Sequence, residues 1–139
     1  MKLDLNRVKK FFINDNFAKS AGIKIESINE DFVECKMEIE DIHRNAVGGV
    51  HGGAIFTLAD FTFAVHSNLD NLHGVDVGNT VGQSCNISYL KSTKGNWLIA
   101  KSKCINKGRN ISVYQVNITD DQNNAIAIMI GNGFTIAKK

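Results

Sequence analysis

NAVGGVHGGAIFTLADFTFAVHSN, the segment from Asn45 to Asn68, contains the most apolar run in this chain. Glycines and a histidine come first, and apolar residues then occupy almost every helical position. Such a run is typical of a helix that protein surrounds on all sides. It is too short and too interrupted to span a bilayer. We therefore expect a central, buried helix that begins near Gly52 and Gly53.

Asp60 is the only charged residue between Ala54 and Val65. A carboxylate among phenylalanines loses hydration and needs hydrogen-bond or charge partners. The helix start presents free backbone N–H groups and the positive end of the helix dipole, and its glycines let an oxygen approach closely. An anion-stabilising helix start followed two turns later by a buried acid suits acyl-transfer hydrolysis.

The whole chain predicts one domain, residues 1–139, with residues 1–16 as an N-terminal helix packed on it. A hydrophobic content of 43% and a charged content of 22% are typical of a soluble globular protein. The net charge of +2 gives no strong attraction to nucleic acid or to acidic membranes, so we expect neither as a partner. We also expect no signal segment at the N-terminus.

Cysteine and histidine placement argues against a metal site. Cys35, Cys85 and Cys104 lie in strand-like segments without ligand spacing, which predicts free buried thiols in a reducing cytoplasm. Three histidines outside the glycine-rich helix start also lack ligand spacing and are expected at the surface or in loops: His43, His66 and His73.

Periodicity predicts the order of the elements. An amphipathic helix over residues 5–13 precedes two strands, and four strand segments follow the central helix; the six strand ranges are 23–28, 32–40, 75–90, 96–106, 111–119 and 125–137. A twisted antiparallel sheet wrapped around one helix satisfies this order and gives an α+β fold. Its exposed edges favour pairing into a homodimer.

Several short segments together resemble one family. They are Asn45, Gly48–Gly53 with His51, Leu58–Asp60, Asn86–Leu90, Lys107–Arg109 and Gly131–Thr135. In these segments the chain resembles the hotdog-fold acyl-CoA thioesterases, specifically the PaaI-like, phenylacetate-pathway branch, over roughly residues 17–136. The resemblance implies the hotdog fold and an acyl-CoA substrate. It also implies hydrolysis without a metal or redox cofactor, since coenzyme A is part of the substrate.

The resemblance also implies a role for each site residue. Asp60 would be the general base or the nucleophile, and the N–H groups of Gly52 and Gly53 would polarise the thioester carbonyl. Asn45 and His51 would position the carbonyl or the water. The site would lie at a homodimer interface, and dimers of this family commonly pair into homotetramers.

Substrate contacts are less sharply indicated. Phe56 and Phe63 share the helix face of Asp60, so they are candidates for the acyl pocket as well as for the core. Lys107 and Arg109 form either a solvated turn or contacts for coenzyme A phosphates. A serine or threonine that assists the acid in the family falls near Gly82 or Gln83, with Thr80 and Ser84 as neighbours.

Two other functions remain open at this point. A hotdog hydratase or dehydratase acting on acyl thioesters needs a histidine paired with an acid in a different arrangement. A non-catalytic acyl-CoA-binding protein has no need of a buried carboxylate at Asp60. The sequence leaves open whether the acyl group is aryl or medium-chain, and whether Asp60 attacks the carbonyl directly or activates water.

Overall fold

The computed structural model describes residues 4–69 and 79–136. The helices are α1 (Leu5–Phe12), α2 (Asn16–Ser20) and α3 (Gly52–Ser67), with a short 3₁₀ helix at Asp41–His43. The strands are β1 (Ile23–Ile28), β2 (Val33–Glu38), β3 (Thr80–Tyr89), β4 (Trp97–Lys107), β5 (Ile111–Asp120) and β6 (Ala125–Thr135). The predicted order of elements is therefore confirmed; the part of the first long strand segment before Asn79, including Gly78, lies outside the described residues, as does His73.

Within the described ranges, six strands form one antiparallel sheet in the order β1-β2-β4-β5-β6-β3. Helix α3 lies across one face of this sheet and packs against β2, β3, β4, β5 and β6. This arrangement confirms the α+β prediction of a sheet wrapped around one long helix. Strand β3 lies at one edge of the sheet, next to the central helix.

Alternation along the strands explains why one sheet face becomes the core. Val33, Cys35 and Met37 of β2 are fully buried, whereas Glu34, Lys36 and Glu38 lie on the other face. The same alternation continues in β5, where Tyr114, Val116 and Ile118 are buried. A period of two places alternate side chains on one face, so these residues point at α3.

Glycines let the central helix lie close to the sheet. A Cβ atom at Gly82 or Gly131 would come within 3.4 or 3.2 Å of the Phe63 ring, and one at Gly133 within 3.5 Å. Strand β3 shifts register between Gly82 and Ser84, which is a bulge. A glycine inside a strand is typical of a bulge or of a close backbone approach, and Gly82 shows both.

Helices α1 and α2 pack against β1, and α2 also contacts the central helix. Asp4 accepts hydrogen bonds from Asn6 N–H and Arg7 N–H at the start of α1, and Asp15 accepts one from Ala18 N–H at the start of α2. The Phe12 ring of α1 meets the Phe61 ring of α3 edge-on, with centroids 5.6 Å apart. The N-terminal helices therefore pack directly on the central helix.

No helix in the described ranges is long and apolar enough to cross a membrane.

Candidate active site

The start of α3 is capped by a side chain just before it. His51 Nδ1 accepts a hydrogen bond of 2.9 Å from Gly53 N–H, so this nitrogen carries no proton here. Gly52 N–H makes no hydrogen bond to another described residue. The Tyr89 hydroxyl of β3 donates to the Gly52 carbonyl at 3.0 Å and fixes the strand end against the helix start. The helix start thus offers Gly52 N–H freely, while His51 holds Gly53 N–H.

The loop before the helix is organised by Asn45. Its Oδ1 accepts hydrogen bonds from Val47 N–H at 3.1 Å and from Gly49 N–H at 3.0 Å. Gly48 has φ +85°, a conformation that favours glycine. The Asn45 amide NH₂ makes no hydrogen bond within the part of the chain that the structure describes. Asn45 therefore shapes the turn with its oxygen and keeps a donor for a ligand.

Asp60 lies on a narrow stripe of α3 that this chain does not cover. Gly53 and Asp60 are exposed, and Phe56, Thr57 and Ala64 between and beyond them are half-buried. The spacing of three, four and seven residues places these side chains on one helix face. The prediction that protein buries Asp60 is therefore wrong for the single chain. Apolar residues around the helix do not reveal which stripe the sheet leaves open.

The surroundings of Asp60 nevertheless disfavour its charge. Loss of hydration raises the pKa of its carboxyl above the ordinary value, and the nearby charge of Asp15 raises it further. Within the described residues no hydrogen bond reaches this carboxylate. A raised pKa makes Asp60 a better proton acceptor near neutral pH than an ordinary aspartate.

Strand β3 places a thiol beside Asp60. Tyr89, Ile87 and Cys85 face the helix, opposite Ala127, Met129 and Gly131 of β6. Burial raises the pKa of the Cys85 thiol, and the Asp60 charge raises it further. Sequence reasoning missed this neighbour, and it missed Asp15. Every second side chain of a strand lies on the same face, so counting back from Tyr89 could have predicted that Cys85 shares its face.

The serine and threonine considered for the facing strand lie elsewhere. Ser84 lies opposite Asn132 and accepts a hydrogen bond of 2.8 Å from its Nδ2. Thr80 bonds Thr135 and Asn68 at the far end of α3. Neither hydroxyl forms a hydrogen bond with Asp60, whereas the Asp60 charge acts on the Cys85 thiol of the same strand.

Gly53 and Asp60 do not form one site within a single chain. Seven residues of helix separate them, which corresponds to about 10 Å along the axis. A reacting carbonyl has to lie about 3 Å from both its oxyanion donor and its nucleophile or base. The two parts therefore lie too far apart to act on one carbonyl in the same copy.

The two candidate phenylalanines differ in exposure. Phe63 is only 2% exposed and packs on Tyr114 and on the sheet glycines. We therefore assign Phe63 to the core and leave it out of the acyl pocket. Phe56 is half-buried and lies one helical turn before Asp60, so it keeps a surface that a substrate can contact.

Lys107 and Arg109 lie far from the helix start. The turn that carries them is joined to Thr135 through the two hydrogen bonds of Asn110. Thr135 lies opposite Thr80, whereas Gly52 contacts Tyr89 at the other end of β3. A ten-residue strand spans about 30 Å. Within one chain the structure does not bring this cationic turn to Gly52.

Two histidines expected at the surface are buried. His43 is 4% exposed, with its ring nitrogens at 3.0 Å from Glu40 N–H and 2.8 Å from the Ala21 carbonyl. His66 is 8% exposed, and its Nδ1 lies 3.0 Å from Ser102 Oγ. The expectation of a surface position is therefore wrong for both, because folding supplies partners distant in sequence, although His43 does lie in the connection between β2 and α3.

Cysteine placement also differs from expectation in part. Cys35 is buried, Cys85 is half-buried and Cys104 is exposed, so not all three thiols are core residues. Burial raises the pKa of Cys35 to about 12. Among residues 4–69 and 79–136 no cluster of three or more potential metal ligands is formed by histidine, cysteine, aspartate or glutamate.

Comparison with solved structures identifies the fold class. The chain superposes on the Escherichia coli PaaI protein from the phenylacetic acid degradation operon with a TM-score of 0.83 and 27% identity, covering 96% of this chain and 94% of that one. A thioesterase from Haemophilus influenzae matches with a TM-score of 0.85 and 24% identity, covering 98% and 92% of the two chains. The architecture is therefore the hotdog fold.

Comparison of sequences identifies the family. Residues 47–127 match the thioesterase superfamily. The acyl-coenzyme A thioesterase PaaI of Escherichia coli is 31% identical over 124 residues, which cover 88% of this chain and 84% of that protein. Human acyl-coenzyme A thioesterase 13 is 30% identical over 122 residues, covering 85% and 81%.

The chain belongs to the thioesterase superfamily and is a thioester hydrolase with PaaI-like relatives. The family predicted from the motifs between Asn45 and Asp60 is thereby confirmed.

Proposed function

We propose that this protein hydrolyses acyl-CoA thioesters at two equivalent sites, each shared by two copies of the chain. The observation that carries the proposal is the uncovered stripe of α3, in which an acid with a raised pKa lies among half-buried side chains. A conserved fold alone does not define an activity, so the chemistry of this stripe is what supports the assignment. The acyl-CoA substrate is drawn from the activities named for the PaaI and human relatives.

A second copy accounts for both the open stripe and the separated site parts. Strand β3 forms a sheet edge, and an edge strand presents unpaired backbone groups that another strand can satisfy. A two-fold axis beside β3 would place Asp60 of one copy near the start of α3 in the other, since an isologous interface pairs each part with its counterpart. We therefore propose a homodimer as the catalytic unit, with pairing of dimers into a homotetramer as a further step.

Charge develops on the carbonyl oxygen during the reaction, and the helix start is suited to receive it. Gly52 N–H has no hydrogen-bond acceptor among the described residues, and Gly53 N–H becomes available when the carbonyl oxygen replaces His51 Nδ1 as its acceptor. The positive end of the α3 dipole adds to both donors. The Asn45 NH₂ group would orient the carbonyl or the attacking water from the loop beside them.

Asp60 would supply the base or the nucleophile. In the first route it takes a proton from water, the water oxygen bonds to the carbonyl carbon, and the carbon–sulfur bond then breaks to release the coenzyme A thiolate. In the second route the carboxylate oxygen of Asp60 bonds to the carbonyl carbon, the carbon–sulfur bond breaks to release the coenzyme A thiolate, and water then hydrolyses the resulting anhydride. A thiolate leaves readily, so neither route needs a strong general acid. Unlabelled acid from a single turnover in ¹⁸O-water would identify the second route, in which water opens the anhydride at the Asp60 carbonyl and an oxygen of unlabelled Asp60 leaves with the first product.

The activity test is thiol release from a panel of acyl-CoAs by the wild-type protein and by Asp60→Asn. Loss of a general base typically lowers a rate by about 10²–10⁴-fold. Asp31→Asn is a matched control, because Asp31 is an exposed acid in the β1–β2 turn. Binding without thiol release by the wild type would indicate a non-catalytic acyl-CoA-binding protein. Hydration of an enoyl-CoA without thiol release would indicate a hydratase.

A further inference from the structure

A groove lies between the N-terminal helices, β1 and the central helix. Its volume is about 340 Å³. Its apolar lining comes from Phe12, Ile13, Ala18, Ile23, Ile25 and Phe61. The Phe12 and Phe61 rings meet edge-on there, so two elements far apart in sequence build the same wall. Such a lining is typical of ligand sites, which are mostly apolar and range from about 300 to 1,000 Å³.

This groove lies next to the proposed active site. Phe61, which lines it, directly follows Asp60 in α3. Asp15, which also lines it, is close enough for its charge to act on the Asp60 carboxyl. An acyl group whose carbonyl carbon reacts at Asp60 therefore has an apolar space beside it, on the side of α1 and α2.

The remaining groove residues, apart from Gly22, are charged. Lys9, Lys19 and Lys24 are exposed, and Asp15 is half-buried. Lysine side chains extend apolar walls with their stems and keep their ammonium groups in water. The interior is thus apolar and the opening is solvated, which suits a flexible hydrocarbon tail rather than the polar nucleotide of coenzyme A.

The size of the groove discriminates between acyl groups. An engineered apolar cavity of about 150 Å³ is large enough to bind benzene. A single aromatic ring would therefore leave much of a 340 Å³ groove unfilled. Side chains that line unfilled apolar space make fewer van der Waals contacts, so an occupant that fills the groove binds more tightly.

We propose that the groove formed by α1, α2, β1 and Phe61 receives the tail of an unbranched medium-chain acyl group, and that it makes such acyl-CoAs preferred substrates over arylacetyl-CoAs. The proposal deepens the proposed function and rests on it for the identity of the ligand. It assigns to Ile13 and Phe12 a role in chain-length selection, although both lie outside the Asn45–Asn68 segment that carries the chemistry.

The test measures binding, so that it does not depend on turnover. The full-length Asp60→Asn protein is titrated by calorimetry with acetyl-, hexanoyl-, decanoyl- and phenylacetyl-CoA. Each methylene that enters the groove should lower the dissociation constant by up to about fourfold, until the groove is full. Decanoyl-CoA should therefore bind much more tightly than acetyl-CoA and more tightly than phenylacetyl-CoA. Equal binding of acetyl- and decanoyl-CoA, or tighter binding of phenylacetyl-CoA than of decanoyl-CoA, would overturn the proposal.

A substitution that fills the groove locates the effect. Ile13 is 59% exposed, so Ile13→Trp adds bulk at the groove without disturbing the core. In the Asp60→Asn background it should reduce the decanoyl-over-acetyl binding ratio by about tenfold or more. Ile136→Trp is the matched control, because Ile136 is 54% exposed and lies outside the groove. An unchanged ratio in a folded Ile13→Trp protein would place the tail elsewhere. Absence of thiol release by the wild type would instead refute the proposed function, while the binding ratios still decide the groove.

Discussion

Asp60 and Asp120 occupy opposite kinds of surroundings in this chain. Asp120 is 3% exposed, and its carboxylate accepts hydrogen bonds from Thr93 Oγ1 at 2.6 Å, from Gln122 N–H at 3.0 Å, and from the backbone and side chain of Asn124 at 2.8 and 3.1 Å. Loss of hydration raises the pKa of Asp120, but these hydrogen bonds together lower it to about 2. Asp60 is exposed, accepts no hydrogen bond from a described residue, and has a raised pKa.

The difference separates an acid that stabilises a fold from one that is available for chemistry. Asp120 accepts hydrogen bonds from Thr93, in the segment before β4, and from Asn124, in the β5–β6 turn, and these bonds stabilise its charged form. Asp60 keeps its oxygens for a ligand, and its neighbours disfavour the charged form. Perturbed carboxyl groups of the second kind cluster at active sites.

Replacing each acid should give the largest and most contrasting effects. Asp60→Asn should lower the rate by about 10²–10⁴-fold and leave the melting temperature nearly unchanged, since none of the described residues donates a hydrogen bond to Asp60. Asp120→Ala should retain activity per folded molecule and lower the free energy of unfolding by about 1.5–3 kcal/mol, because its donors lose a charged acceptor. Thiol-release kinetics and urea unfolding of both variants check this pair. A rate loss in Asp120→Ala that matches that of Asp60→Asn would remove the distinction.

The stability that Asp120 contributes should depend on pH. The folded pKa of Asp120 is about 2, below its ordinary value, so its contribution to stability is present above about pH 4 and is lost as the pH falls towards 2. Urea unfolding at a series of acid pH values should show this loss in the wild type and not in Asp120→Ala. A wild-type free energy of unfolding that follows the same pH dependence as the variant would contradict this assignment.

Replacing His51 should lower the rate less than replacing Asp60 does, and stability less than replacing Asp120 does. Its ring caps Gly53 N–H, and loss of an N-cap costs about 1 kcal/mol. If His51 only holds that donor until substrate arrives, His51→Ala should change the rate by less than about tenfold, well below the 10²–10³-fold typical of a lost oxyanion donor. His51→Asn keeps a capping oxygen and serves as the stability control. A loss of more than a hundredfold in a folded His51→Ala protein would show that the ring itself acts on the substrate.

Replacing Asp15 should have the smallest effect, a shift in the pH profile of kcat/KM. Its charge raises the pKa of Asp60 after the effect of burial. Asp15→Asn keeps an oxygen that can cap α2 and removes the charge, so the acid limb of the kcat/KM profile should move to lower pH. The profile of Asp31→Asn should stay where the wild type has it. An acid limb that does not move would mean that Asp60 is not the group whose ionisation limits the rate.

Local pattern predicted the fold well, because helix and strand periodicities are properties of short segments. The start of α3 at Gly52 and the turn before Val33 needed no distant information. The bulge near Gly82 was likewise visible from a glycine within a strand.

Contacts between distant residues set the limits of that prediction. His43 bonds Ala21, 22 residues away, and His66 lies against Ser102, 36 residues away, so neither could be placed from its own neighbourhood. Asp120 depends on Thr93 in the same way. The exposure of Asp60 depends on which stripe of a uniformly apolar helix the sheet leaves uncovered, and a one-dimensional pattern does not contain that information.

The most direct test of the shared site combines two inactive chains. Asp60→Asn removes the acid, and Gly53→Pro removes a donor at a helix position that tolerates proline. Each variant alone should be nearly inactive. When the two are co-expressed in equal amounts and assemble at random, about one quarter of the sites should combine an intact Asp60 with an intact helix start from the other copy. Recovery of about that fraction of wild-type thiol release is the expected result. Activity no higher than that of the separate variants, in assemblies shown to contain both chains, would contradict a site shared between copies.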